Sequence, residues 1–435
     1  LAIEGGIVSL SRRSFLSLPL AAGLTGHLRA DGMEAPQASS EPLPAPIAAL
    51  TSMKGRETPI TADERRARIE KARRLMAEQR IDALMLCSGT SLVYFTNMRW
   101  SGAERLFAFV LPRTGEPFVV CPAFEEDRAR EQIALGPFGG PKADVRTWQE
   151  HESPYERVAQ GLRDRGVATG RLGVEETTKF VFSDGVAQAA PTVKLVSGTP
   201  VTAGCRATKD AHELALMRLA SEVTWKAYKA AFESLKEGMT QNDFAQLVSA
   251  AHTGLGFSGG AGVQVGQYSA LPHGSIQPQV IKEGTILLID GGCSVEGYES
   301  DISRTFVLGR ATDKMKQVFA IERKAQDAAL AAAKPGVPCE AVDAAARKVI
   351  EDAGYGPGYT YFTHRVGHGM GMDGHEWPYL VKGNTLPLAP GMTFSDEPGI
   401  YIRGEFGVRL EDDMVITEKG AELFTTQSES LEKPF

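Results

Sequence analysis

The chain has 435 residues, of which 43% are hydrophobic and 23% charged. That balance excludes a disordered tail, a coiled coil or a collagen, and at about 100–200 residues per domain it leaves room for two domains. With 47 Lys plus Arg against 54 Asp plus Glu, the net charge of −7 lacks the basic footprint of a nucleic-acid binder. The five cysteines (Cys87, Cys121, Cys205, Cys293, Cys339) form no CxxC pair, so they read as buried hydrophobes and not as a zinc or redox site.

Arg12 and Arg13 precede a short apolar stretch from Leu16 to Leu24. This arrangement looks like a twin-arginine export signal, which predicts a signal peptide over 1–38 and a periplasmic destination. The stretch is too short for the ~20 residues of a membrane span, so no stable membrane insertion is expected. The Pro/Ala/Ser-rich residues 39–58 read as a linker. An α/β domain is expected over 59–205. Thr61 three residues before Glu64 opens a helix running to about Gln79. The apolar runs Ala83–Cys87, Phe107–Leu111 and Phe118–Cys121 are strands, and Leu172–Val174 is another.

Residues 206–435 read as a second domain of α+β type. A long helix spans Lys209–Leu235, and Thr240 caps another. Further helices are expected over Asp313–Ala333 and Cys339–Ala353. Between and after them lie strands that carry carboxylates. Ile286–Asp290 and Ser300–Phe306 flank a turn at Gly297, so Asp290 and Asp301 are expected as cross-strand partners roughly 5 Å apart. Glu397 and Glu411 are likewise symmetric about Gly404. Carboxylates forced together repel, so such pairs point to a site that binds metal or protons. Arg409 shares the face of Glu411 and is expected to steady it.

Three of the eight histidines, His364, His368 and His375, fall within the glycine-rich run Thr363–Pro378. Its glycines argue for an extended or looped segment in place of a helix. His273 lies in a second glycine-rich stretch. A carboxylate-rich binuclear site usually includes at least one imidazole.

Asp290-Gly-Gly, Gly297-Tyr-Glu-Ser-Asp-Ile-Ser-Arg-Thr305, Gly367-His-Gly-Met-Gly, Glu397-Pro-Gly-Ile-Tyr401 and Arg409-Leu-Glu-Asp-Asp413 together resemble the pita-bread metallopeptidases. The preceding α/β domain is similar to the N-terminal domain of the creatinase, prolidase and aminopeptidase P branch. The resemblance covers about residues 60–430. It implies two divalent ions on Asp290, Asp301, His368, Glu397 and Glu411, with Asp301 and Glu411 bridging. It gives His273, His364 and His375 to substrate and intermediate, and Glu397 to proton transfer. Arg409 is taken as a substrate contact as well. Manganese is the expected metal, with cobalt, iron and zinc as alternatives.

The activity implied is hydrolysis of Xaa-Pro peptides by a homodimer. An Xaa-Pro dipeptidase is favoured over an aminopeptidase P; a hydrolase or lyase of a small non-peptide compound and a non-catalytic binding module are the other readings. Arg365 and Arg403 are the candidates for reading a free proline carboxylate. Asp396 departs from the small or apolar residue expected before Glu397.

Overall fold

In the computed structural model, which describes residues 42–140 and 142–435, the apolar runs of the first half become a six-stranded sheet. Its order is Asp144–Trp148, Phe118–Pro122, Ala108–Pro112, Ala83–Leu86, Gly170–Val174, Val193–Ser197. The strand Ala83–Leu86 pairs antiparallel with Ala108–Pro112 and parallel with Gly170–Val174. The period of two sends Leu84 and Leu86 into one core and Ala83 and Met85 into another. Burial on both faces is why these strands read as unbroken apolar runs. The helix Ala62–Gln79 starts at a capping box between Thr61 and Glu64 and stops at Arg80, whose φ is 56°.

The second half is built twice on one plan, two helices against an antiparallel sheet. Helices Ala211–Glu233 and Gln241–Gly254 cover the strands Gly259–Val265, Ile286–Val295 and Ile302–Val307. Helices Asp313–Ala332 and Cys339–Asp352 pack on each other and cover the later strands between Gly367 and Leu423. The strand edges of the two sheets meet at the carboxylates described below. All five cysteines are buried and free.

One expectation changes. Residues 42–58, read as part of a linker, pack firmly: Ile47 and Met53 are buried with Leu216, Leu219 and Leu255, and Met53 N–H donates to the Leu255 carbonyl at 2.8 Å. The Pro/Ala-rich composition hid an apolar face that covers the outer side of two helices. The two halves pack closely, residues 44–435 clustering as one compact unit. The expected segment 1–38 lies outside the described residues.

Candidate active site

The hairpin that carries Asp290 and Asp301 turns on Glu296 and Gly297, both left-handed at φ 51° and 85°. Val295 pairs with Tyr298, and the ladder continues to place Asp290 opposite Ser303. Asp290 and Asp301 are therefore not direct partners. The turn lies one position further along the chain than the expected symmetry about residues 295 and 296, and the register moves by two. An even shift keeps both carboxylates on one face, as diagonal neighbours. The two glycines after Asp290 let the return strand approach: a Cβ on Gly292 would lie 1.8 Å from the Ser300 carbonyl oxygen.

The second hairpin keeps one register through two short ladders. Asp396 pairs with Asp412, and Gly399 pairs with Arg409. Glu397 and Glu411 sit in the break between them and face each other. Glu411 joins two triads whose ligand atoms lie within 4.8 Å of one another: Asp290, Asp301, Glu411 and His368, Glu397, Glu411. His368 Nε2 is 3.2 Å from Glu397 and 3.9 Å from Asp301.

The residues fit a pair of cations. His368 Nδ1 faces the Gly369 carbonyl at 3.1 Å, so it carries the proton and the Nε2 lone pair points at carboxylates. A lone pair facing a carboxylate requires a proton or a metal between them. Burial, then the charge of Asp290, pushes the Asp301 carboxyl well above its usual range. Burial and Asp301 do the same to Glu411. Burial alone would also raise Glu397, but His368 holds it down at about 2.

Around this cluster lies a cavity of about 610 Å³, lined also by His273, His364, His375, Arg365, Arg409, Gln264 and Val381. A larger, mainly apolar cavity in the N-terminal domain, among Phe109, Phe118 and Ile133, shares no residue with it. His375 is exposed and stacks on His368 with ring centroids 3.7 Å apart. Its Nδ1 accepts from Arg365 at 3.2 Å, leaving Nε2–H free to donate. His364 has both nitrogens engaged: Nδ1 donates to the Arg365 carbonyl at 2.8 Å, and Nε2 accepts from the Tyr401 hydroxyl at 2.7 Å. Burial lowers the pKa of both rings, so both are neutral imidazoles near neutrality. His273 lies exposed at the lip.

Arg409 does not touch Glu411. Its guanidinium donates to Asp290, to Ser303 Oγ at 3.0 Å and to the Tyr401 hydroxyl at 3.0 Å. It reaches Glu411 through Ser303, whose hydroxyl donates to Glu411 at 2.6 Å. With these partners, and a further bond to the Pro272 carbonyl, little of the side chain is left for substrate. Arg365 lines the cavity and lies over the Tyr379 ring at 4.0 Å. Arg403, at the exposed hairpin tip, does not line it.

The sequence reading gave no role to Ser303, Tyr401 or Asp413. The Asp413 carboxylate accepts the Asp301 backbone N–H at 3.2 Å and the Ser221 hydroxyl at 2.9 Å. Burial pushes its carboxyl up to about 8. All three residues lie inside quoted motifs, and that was their one sequence signal.

Residues 215–418 match the model of metallopeptidase family M24, and residues 68–208 match the creatinase/prolidase N-terminal domain. The chain is 34% identical to an Xaa-Pro dipeptidase from Lactobacillus delbrueckii subsp. lactis over 372 residues, which is 83% of this chain and 98% of that protein. The chain belongs to metallopeptidase family M24. This M24 enzyme is also 36% identical to a probable dipeptidase PepE of Mycobacterium tuberculosis, over 81% of this chain and 92% of that one. Its fold is similar to the crystal structure of dipeptidase PepE from Mycobacterium ulcerans, with a TM-score of 0.80 and 32% identity over 86% of this chain and 99% of that one. The second domain has the pita-bread fold, the first the creatinase-type α/β fold, and the protein is a metallopeptidase.

The expected periplasmic destination is not upheld. The Lactobacillus relative is matched over 98% of its own length by 83% of this M24 chain, and nothing in that match supports export. Arg12, Arg13 and the Leu16–Leu24 stretch lie outside the described residues. No described helix is long and apolar enough to cross a membrane.

Proposed function

We propose that this M24 enzyme is an Xaa-Pro dipeptidase, cleaving the bond between a first residue and a C-terminal proline. The observation that carries this reading is the sharing of Glu411 by two ligand triads at the floor of a cavity that also holds Arg365. The similarity to proteins named Xaa-Pro dipeptidase supports it. Asp290, Asp301, His368, Glu397 and Glu411 would hold the two ions. Two divalent ions there would lower the pKa of a shared water toward neutrality. Four carboxylates and one imidazole suit manganese, and elemental analysis separates it from cobalt, iron and zinc.

Glu397 receives the proton of the attacking water and passes it to the proline nitrogen as that bond breaks. His375 donates Nε2–H to the scissile carbonyl oxygen as charge develops on it. His364 holds the Tyr401 hydroxyl, and His273 lines the path by which peptide enters. Arg365 reads the free carboxylate, since a guanidinium fork matches two oxygens.

A hydrolysis panel on manganese-loaded protein tests this reading with Ala-Pro, Leu-Pro, Ala-Pro-Ala and amidated Ala-Pro. Cleavage of the two dipeptides alone is expected. Equal cleavage of the tripeptide and the amide reassigns the enzyme to the aminopeptidase P type. No cleavage of any peptide, with two ions per chain verified, moves a small non-peptide substrate to the front. We also propose a homodimer, on the family resemblance; light scattering on the eluting protein checks it.

A further inference from the structure

Glu376 follows His375 and plays no part in the chemistry above, yet it is 5% exposed and fully engaged. Its Oε1 accepts from the Arg206 guanidinium through Nε at 3.2 Å and through a second, shorter bond. The same oxygen accepts the backbone N–H groups of Met372 at 2.9 Å and Asp373 at 3.1 Å. Its Oε2 accepts from Lys209 Nζ at 3.1 Å. One carboxylate thus closes the loop 371–375 through the loop's own amides and ties it to two cations. Burial alone would raise the Glu376 carboxyl, but Lys209 and Arg206 override it and bring it to about 2.

The cations come from elsewhere in the fold. Arg206 is the last residue of the helix Thr199–Arg206, inside the segment matched to the N-terminal domain, and Lys209 follows three residues later. Arg206 also donates to the Ser91 hydroxyl at 3.3 Å and to the Asp373 carboxylate. Thr90 donates to the same Asp373. The seam between the two domains is therefore a charged clamp whose jaws meet one residue from His375. His375 itself is exposed. Its ring has a stack on His368 and a bond to Arg365 to orient it, and the clamped backbone sets where that ring begins.

We infer that Arg206 and Lys209 are positioning residues for His375, so that the end of the N-terminal domain and the residue just beyond it align the group that donates to the scissile carbonyl. This rests on the Xaa-Pro hydrolase reading above. Misplacing a catalytic group by about 1 Å costs up to about 100-fold in rate, whereas ground-state binding of the peptide is left largely intact.

The test is a double-mutant cycle on manganese-loaded full-length protein with Leu-Pro. Arg206→Gln is expected to lower kcat about 10-fold or more, with KM changed little and metal content unchanged. In a His375→Ala background the same substitution is expected to cost less than about twofold. Equal losses in both backgrounds, or no loss in either, would overturn the inference. A second readout is independent of substrate. In protein loaded with diamagnetic zinc, the His375 ring resonance, assigned by its loss in His375→Ala, should move in Arg206→Gln; an unmoved resonance defeats the clamp even if wild-type protein cleaves no peptide. Should Arg206→Gln fail to fold, Asp373→Asn carries the same cycle, because that side chain is 44% exposed and tolerant of change. Arg206→Lys, keeping the charge, should restore part of kcat.

Discussion

The Tyr401 hydroxyl donates to His364 Nε2 at 2.7 Å while accepting from Arg409 at 3.0 Å. Its proton direction is fixed from both sides: the guanidinium can only donate, and His364 already carries its proton on Nδ1 against a carbonyl. Arg409, Tyr401 and His364 thus form a chain of donors running one way across the site wall. Tyr401→Phe removes the middle link and leaves Arg409 Nη1 and His364 Nε2 each short of a partner. A fall in kcat of about tenfold is expected, equivalent to one lost hydrogen bond near the reacting atoms. Metal content by elemental analysis should stay unchanged, since none of the five proposed ligands touches the phenol.

Glu411 belongs to both triads, so its removal should affect both ions. Glu411→Ala is expected to lose activity and most of its bound metal while still folding. Taking one carboxylate out of a crowded cluster relieves repulsion, so the metal-free variant should melt at or above the temperature of metal-free wild type. Near-normal turnover by Glu411→Ala would defeat the shared-ligand arrangement.

The raised carboxyls of Asp301 and Glu411 give metal-free and metal-loaded protein opposite responses to pH. An acid whose folded pKa lies above its unfolded one contributes stability that is present in full below the unfolded value and is lost as pH rises toward the folded value. Chelated protein should therefore lose melting temperature as pH rises above the ordinary carboxylate range. Metal binding needs the ionised forms, so manganese-loaded protein should gain over the same interval. Calorimetry in chelator and in excess manganese reads both slopes, and parallel slopes would contradict the assignment.

Asp396 is fully buried, and neither of its carboxylate oxygens has a hydrogen-bond partner among the described residues. Burial, then the neighbouring Asp412 and Glu322, pushes its carboxyl well above the usual range. The position lies in the strand Thr393–Asp396, where a β-branched apolar residue fits. Asp396→Val is expected to stabilise the metal-free protein by about 1–3 kcal/mol, the cost of an unsatisfied buried polar group. The urea midpoint measures it, and a fall in the midpoint would show that the buried acid is needed.

The readable parts of this fold are those decided over a few residues. Thr61 and Thr240 announce their helices because a capping box spans four positions, and both boxes are present. The hairpin at Glu296 was misplaced because a non-glycine residue takes the left-handed conformation there, which no local rule favours. Helices Pro154–Asp164 and Phe180–Ala189 went unread. The second leaves Phe180 81% exposed and breaks the apolar periodicity, though Ser153 before Pro154 was a usable cap signal. At the site, the candidate ligands came from motif and resemblance. The links that hold them could not, since Ser303 meets Glu411 across more than a hundred residues, and such contacts exist only once the sheets have assembled.

The hairpin that brings Glu397 to Glu411 turns at Arg403-Gly404-Glu405, with Ile402 paired to Phe406. Its register is held below the tip by two ladders in agreement. Extra residues inserted at the tip would leave both glutamates facing each other, making this loop a natural place to graft a tag or a recognition peptide. A single residue inserted between Thr393 and Ile402 would instead rotate one side of the pair out of the cavity, and no repacking nearby could return it.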